Sequence, residues 1–147
     1  MKTLQVSLAI WLLLLLPFSA SAENSTKIPG YTIHHNALTT DMLSPAVAQS
    51  YGIRRSKGRA MLNISIIQDV PGTTGKAVTA EVKAVARNLI GQNRDIPLRE
   101  IREGNAIYYI GDFQVGHREH LTFLLDVTPA GESRAFQAKL EHEFYTN

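Results

Sequence analysis

Hydrophobic and polar positions alternate most regularly between His120 and Tyr145. Leu121, Phe123, Leu125 and Val127 are separated by Thr122, Leu124 and Asp126, the period of two that a half-buried strand requires. Phe136, Ala138, Leu140 and Phe144 alternate in the same way with Gln137, Lys139, Glu141 and Glu143. Ala130-Gly131-Glu132-Ser133 lies between them, with Gly at the first central position of a two-residue loop, which predicts a type II′ turn. That register sets Val127 opposite Phe136, Leu125 opposite Ala138, Phe123 opposite Leu140 and Leu121 opposite His142. Turn chemistry and patterning then agree on an antiparallel sheet with one wet face.

The same period recurs upstream. Tyr31 to Leu38 alternates weakly and is read as a first strand, placed at a sheet edge. Ser44-Pro45 supplies an N-cap and a proline at the first helical position, and Gly52 stands where a short helix would end. Met42, Leu43, Val47 and Tyr51 can form one apolar stripe, so this helix is expected to plug one end of the sheet layers. Leu62, Ile64 and Ile66 form a strand face, and Asp69 to Lys76 reads as a loop. Val78, Ala80, Val82, Ala84 and Ala86 line the next face; alanine content permits a helix there, but the strict period of two decides for a strand. Asn88 to Asp95 is expected as a loop and Ile96 to Glu103 as one charged strand. Gly104-Asn105 then turns the chain into Ala106–Val115, and Gly116 to Glu119 links this to the closing hairpin. About seven short strands and one small N-terminal helix predict an all-β antiparallel sandwich, immunoglobulin-like or fibronectin-III-like. A closed small barrel is the competing architecture.

The first residues change the setting. Met1-Lys2-Thr3 leads into an apolar run that reaches Phe18, and Ser19-Ala20-Ser21-Ala22 gives an A-x-A pattern before Glu23. These are the regions of a secretory signal peptide over residues 1–22. The apolar block is shorter than the roughly 20 residues that span a bilayer, so a retained anchor is disfavoured. Cleavage after Ala22 would leave 125 of the 147 residues. That suits a flexible leader over 23–30 and a single domain over 31–147, with no transmembrane segment after processing. The expected compartment is the periplasm.

The chain contains no cysteine, which removes disulfides, lipidated cysteine, thiolate zinc sites and cysteine nucleophiles together. The only tryptophan is Trp11, so a Cys–Trp–Cys immunoglobulin core is also excluded. A net charge of +2 does not suggest a nucleic-acid partner. The sequons at Asn24 and Asn63 matter only in a host that glycosylates them.

Tyr51-Gly52-Ile53-Arg54-Arg55-Ser56-Lys57-Gly58-Arg59, with His35-Asn36-Ala37-Leu38 and Leu43-Ser44-Pro45 before it and Leu62-Asn63-Ile64-Ser65 after it, resembles a gamma-proteobacterial family of small exported proteins, domain of unknown function 4426. Arg102 to Tyr109 and Glu119 to Phe123 are similar to it as well. The resemblance spans essentially the whole processed chain. It implies a single-domain periplasmic protein of a Gram-negative host, and it brings no catalytic residues with it.

Candidate chemistry therefore rests on the residues themselves. Arg54, Arg55, Lys57 and Arg59 place four cations in six residues beside Tyr51, which suggests a site for an anion or a partner. The plain alternative is a solvated loop in which one arginine pairs with a carboxylate. If the segment is extended, Arg55 shares the inward parity of Ile53 and must find a carboxylate, a carbonyl or an anion. His34 and His35 are adjacent, and His117-x-x-His120 would converge only on a turn, so no metal is expected. Glu141 and Glu143 lie about 7 Å apart on one strand face, as in many solvent faces. No G-x-S-x-G, S-x-x-K or H-E-x-x-H is present, and neither catalysis nor a cofactor is expected. The reading is a non-enzymatic interaction module of the cell envelope, its partner another envelope protein. The alternative is a carrier or sensor of a small anionic or lipidic ligand held between the sheets. A filled core with exposed apolar surface favours the first, and an internal cavity the second.

Overall fold

The computed structural model describes residues 24–147. The expected signal peptide, residues 1–22, lies outside them. Ten strands are present: β1 (Ser25–Ile28), β2 (Tyr31–Thr39), β3 (Arg59–Gln68), β4 (Lys76–Ala77), β5 (Ala80–Arg87), β6 (Asn93–Ile96), β7 (Arg99–Glu103), β8 (Ala106–Gln114), β9 (Glu119–Pro129) and β10 (Phe136–Phe144). A 3-10 turn, Thr40–Met42, and one helix, α1 (Pro45–Tyr51), join β2 to β3. One sheet has the order β1-β2-β3-β8-β7, with β4 also on β3; the other runs β10-β9-β5-β6. Every pairing is antiparallel. The sheets stay separate, each with its own edge strands, so this is a sandwich rather than a closed barrel.

The core is built by alternation. Ile33 and Ala37 of β2, Leu62, Ile64 and Ile66 of β3, and Tyr109 and Phe113 of β8 face Ala84 and Ala86 of β5, Leu121 to Val127 of β9, and Ala138 to Phe144 of β10. Phe113, Phe123 and Phe144 meet across the sheets with ring centroids 5.6, 6.1 and 6.4 Å apart, tilted or edge-on. Such geometry adds to plain burial through ring quadrupoles. His35 is also inside, its Nε2 2.9 Å from the Thr26 hydroxyl, and burial lowers its pKa.

The register of β9 and β10 is the expected one, with Val127 opposite Phe136 and Leu121 opposite His142. The turn differs. The Glu132 amide donates to the Pro129 carbonyl, which puts Gly131 (φ +87°) at the third turn position, where a type II turn needs positive φ. Hydrogen bonding from the Ala130 amide to the Thr79 carbonyl holds that end of β9 beside β5.

Other expectations need correction. Residues 23–30 contain a strand, because Pro29-Gly30 turns Ile28 back onto Tyr31. That addition makes β2 an interior strand and not an edge. Ile96 to Glu103 is two strands in different sheets, since Pro97 interrupts the ladder and the chain crosses over there. Gly111 on β8 accommodates the crossing: a Cβ there would lie 2.5 Å from the Pro97 carbonyl oxygen and 2.8 Å from the Ile96 side chain. Strand β6 also shortens the expected 88–95 loop.

Helix α1 is capped as the residues predict. Ser44 Oγ accepts from the Val47 amide at 3.2 Å, and Gly52 is left-handed with φ +66°. The helix does not plug the sandwich. Tyr51, Leu43 and Leu38 pack against Ile53, Met61 and Ile110 in a second small core on the outer face of the larger sheet. Met42 and Val47 stay exposed, so the expected stripe is replaced by Leu43, Ala48 and Tyr51.

Phe123 is fully buried at the centre of the aromatic trio. Phe123→Ala is expected to cost roughly 3–5 kcal/mol in urea unfolding; a loss under about 1 kcal/mol would contradict that placement.

Candidate functional site

The basic segment is ordered by a residue its own sequence does not announce. Thr40 is fully buried; its hydroxyl accepts from the Ser56 amide at 2.9 Å and lies 2.9 and 3.1 Å from the carbonyl oxygens of Arg54 and Ser56. Ser56 Oγ accepts from the Gly58 amide, and the Val115 amide donates to the Gly58 carbonyl. The loop backbone is thus tied to the 3-10 turn after β2 and to the residue that follows β8, and Ile53 is buried as its parity predicts.

The candidate cations separate. Arg54 and Lys57 are exposed. Arg55 is exposed too, although it finds a carbonyl, donating to Asp41 O at 3.0 Å. Arg59 is the anchored one: its guanidinium meets Asp112 at 2.5 Å with both side chains 22 % exposed. Arg99 approaches the other Asp112 oxygen at 3.7 Å and donates to the Tyr51 carbonyl. Tyr51 in turn donates from its hydroxyl to Glu103 at 2.7 Å. Tyr51 and Arg59 therefore brace helix α1 and the outer core, while Arg54, Arg55 and Lys57 present charge to solvent without converging on one another.

The histidines do not gather. His34 and His35 point to opposite faces of β2. His117 Nδ1 accepts from the Thr146 amide at 3.2 Å and stacks edge-on against Tyr145, whereas His120 lies opposite Glu143. Among the described residues no group of three or more His, Asp or Glu side chains is placed to hold a metal ion. Glu141 is bound by Lys139 at 2.6 Å, which lowers its pKa, and Glu143 lies 3.9 Å from Arg118.

A second feature lies at the same end of the sandwich. Between β5 and β6, Leu89 and Ile90 are 80 % and 79 % exposed. This loop is pinned by Asn88, whose Oδ1 accepts from the amides of Ile90 (3.2 Å) and Gln92 (2.9 Å) while its Nδ2 donates to Gln92 Oε1 (2.7 Å). Asn88 N donates to Gln92 O, and Gly91 N to Asn88 O. Arg87 and Arg94 flank the loop: Arg87 donates to Asn93, and Arg94 to the Gln114 carbonyl while resting 5.3 Å from the Phe113 ring centroid. At the opposite border, where β2 meets β10, a concavity lined by Ala37, Leu38, Met42, Phe144 and Tyr145 is also apolar, with Met42 73 % and Tyr145 60 % exposed. Leu89 and Ile90 fall within the expected 88–95 loop, and two large aliphatics amid polar neighbours are the signal the sequence carries there.

The family described as "Domain of unknown function (DUF4426)" matches residues 25–147. The chain belongs to the DUF4426 family. No curated protein matches it. A DUF4426 family protein of Pseudomonas aeruginosa PAO1 has a crystal structure similar to this one, with TM-score 0.73 and 28 % identity over 86 % of this chain and 97 % of that one. FetP of uropathogenic Escherichia coli strain F11, produced recombinantly in the periplasm, is similar at TM-score 0.60 and 10 % identity over 84 % of this chain and 94 % of FetP. A copper-bound FetP variant matches with the same score and identity. At that identity FetP shares the fold, and this DUF4426 chain takes nothing more from it here. Among its described residues no helix is long and apolar enough to cross a membrane.

Two outcomes follow from this geometry. Arg59→Ala should cost about 1–2 kcal/mol in thermal melts, between the values for exposed and buried pairs, because Asp112 keeps only Arg99. Arg54→Ala and Lys57→Ala should each stay within ~0.5 kcal/mol, with or without phosphate; equal effects at all three would contradict the division of roles. The second concerns Tyr51. The Glu103 hydrogen bond, aided by burial, pushes its pKa up to about 12 from the ordinary 10.0. The folded chain thus holds this proton more tightly than the unfolded chain. The bond contributes below pH 10 and is lost as pH rises through about 12. Ultraviolet titration of the chain minus that of Tyr51→Phe should show this late ionisation; a step at the ordinary value would contradict it.

Proposed function

We propose that this DUF4426 protein is an exported, periplasmic, non-enzymatic interaction module of the cell envelope. The observation that carries the reading is the pinned Leu89–Ile90 loop, which spends hydrogen bonds on holding two large aliphatic side chains in water. Folding gains nothing from that exposure, which supports a contact made outside the chain. The signal-peptide pattern of residues 1–22 supports export, and the similar FetP was produced in a periplasm.

The strand order supports an immunoglobulin-like reading of the sandwich. Taking β2, β3, β8 and β7 as strands A, B, E and D, and β10, β9 and β5 as G, F and C, reproduces the two-sheet arrangement of that fold. Loops gathered at one end of such a sandwich commonly carry recognition. The carrier reading has less support. The phenylalanine trio and its aliphatic neighbours pack between the sheets, and Arg54, Arg55 and Lys57 are exposed.

Site-specific photo-crosslinking in intact cells tests the proposal. A photo-reactive residue at Leu89 or Ile90 should give a discrete adduct with an envelope component, and the same residue at Val70, exposed at the opposite end, should not. Absence of any adduct at the loop, or equal adducts at both ends, would overturn it.

A further inference from the structure

The occupant of the loop follows from its chemistry. Within Asn88-Leu89-Ile90-Gly91-Gln92 there is no charged residue, and the apolar side chains stand at the tip. The amides of Asn88, Ile90, Gly91 and Gln92 all donate inside the loop, to Gln92 O, Asn88 Oδ1, Asn88 O and Asn88 Oδ1 respectively. Four of the five loop amides are satisfied in this way, that of Leu89 being the exception, which lowers the cost of taking the tip out of water into an apolar medium. Charge begins immediately behind the tip with Arg87 and Arg94, whose guanidiniums are held by Asn93 and the Gln114 carbonyl.

We propose that the Leu89–Ile90 loop inserts into the surface of a bilayer rich in anionic headgroups, with Arg87 and Arg94 at headgroup level. This rests on the envelope-interaction reading and names its partner. Toward the opposite border of this end, where β2 meets β10, Met42 and Tyr145 are exposed as well, and a tyrosine is well suited to the interfacial layer. Arg54, Arg55 and Lys57 leave the β3 end of the sandwich, close to where Arg94 meets Gln114. Of the carboxylates on this end, Asp112 is held by Arg59, Glu119 accepts from the Gly116 amide and Glu143 faces Arg118, while Asp41 and Asp95 have no ion-pair partner among the described residues. A tip of two aliphatics with a small cationic collar gives reversible, salt-sensitive attachment rather than anchoring.

Vesicle flotation tests this, using the processed protein recovered from the periplasm of an expression host. Vesicles of phosphatidylglycerol and phosphatidylcholine should carry the protein, and pure phosphatidylcholine vesicles should bind it about tenfold more weakly. Leu89→Ser with Ile90→Ser should reduce binding by about tenfold or more. These positions are exposed, and unchanged thermal melts will show that the fold is intact. Arg87→Gln with Arg94→Gln should remove the preference for anionic vesicles, and Val70→Ser should change nothing. Undiminished binding by the loop variant overturns the proposal. So does absence of vesicle binding while the loop still crosslinks to a protein in cells, an outcome that retains the envelope-interaction reading and assigns it a protein partner. Failure of vesicle binding and crosslinking together overturns both.

Discussion

No disulfide ties the two sheets together, so contact between Phe113 of one and Phe123 and Phe144 of the other helps to hold them in register. Each ring is presented by an alternation that also fixes which face of its strand is wet. Edge-on and tilted packing adds about 0.5–1.5 kcal/mol per pair beyond burial. The cluster also reaches the surface, because Arg94 lies over the Phe113 ring. One of the arginines beside the exposed loop is therefore oriented by the same residue that closes the core.

The outer core has a different role. Ile53, Met61 and Ile110 are covered by α1, and Thr40 fastens the segment that follows. A basic loop of this length would lose much conformational entropy if ordered only on binding. Here the ordering is supplied by folding. The Asn88 bonds do the same for the β5–β6 loop, so two preorganised loops share one end of the sandwich.

Legibility followed how local the cause was. The β9–β10 pairing was readable to the residue because alternation and the number of loop residues both constrain it, although the turn type was not. Alpha-helix capping at Ser44 and Gly52 was readable for the same reason. The face that α1 covers was not, since a stripe names a direction but not the surface that fills it; Met42 and Val47 lost that competition to Leu43 and Tyr51. Pro29-Gly30 and Pro97 are local signals as well, and they account for β1 and for the division between β6 and β7. Within the basic segment, composition could not rank four cations. Arg59 stands apart because β8 brings Asp112 to it from 53 residues away.

The crossing at Pro97-Leu98 makes the two long borders of the sandwich unequal. On one, β6 and β7 belong to different sheets yet are joined by two residues, over a glycine that lets them close tightly. On the other, β1 and β10 adjoin with no backbone ladder between them. Parting the sheets at the first border would disturb two ladders together, whereas the second is held by packing and by the hydrogen bond from the Tyr31 hydroxyl to Glu132. The molecule is bound like a book along its β6–β7 spine, with its fore-edge where β1 and β10 meet.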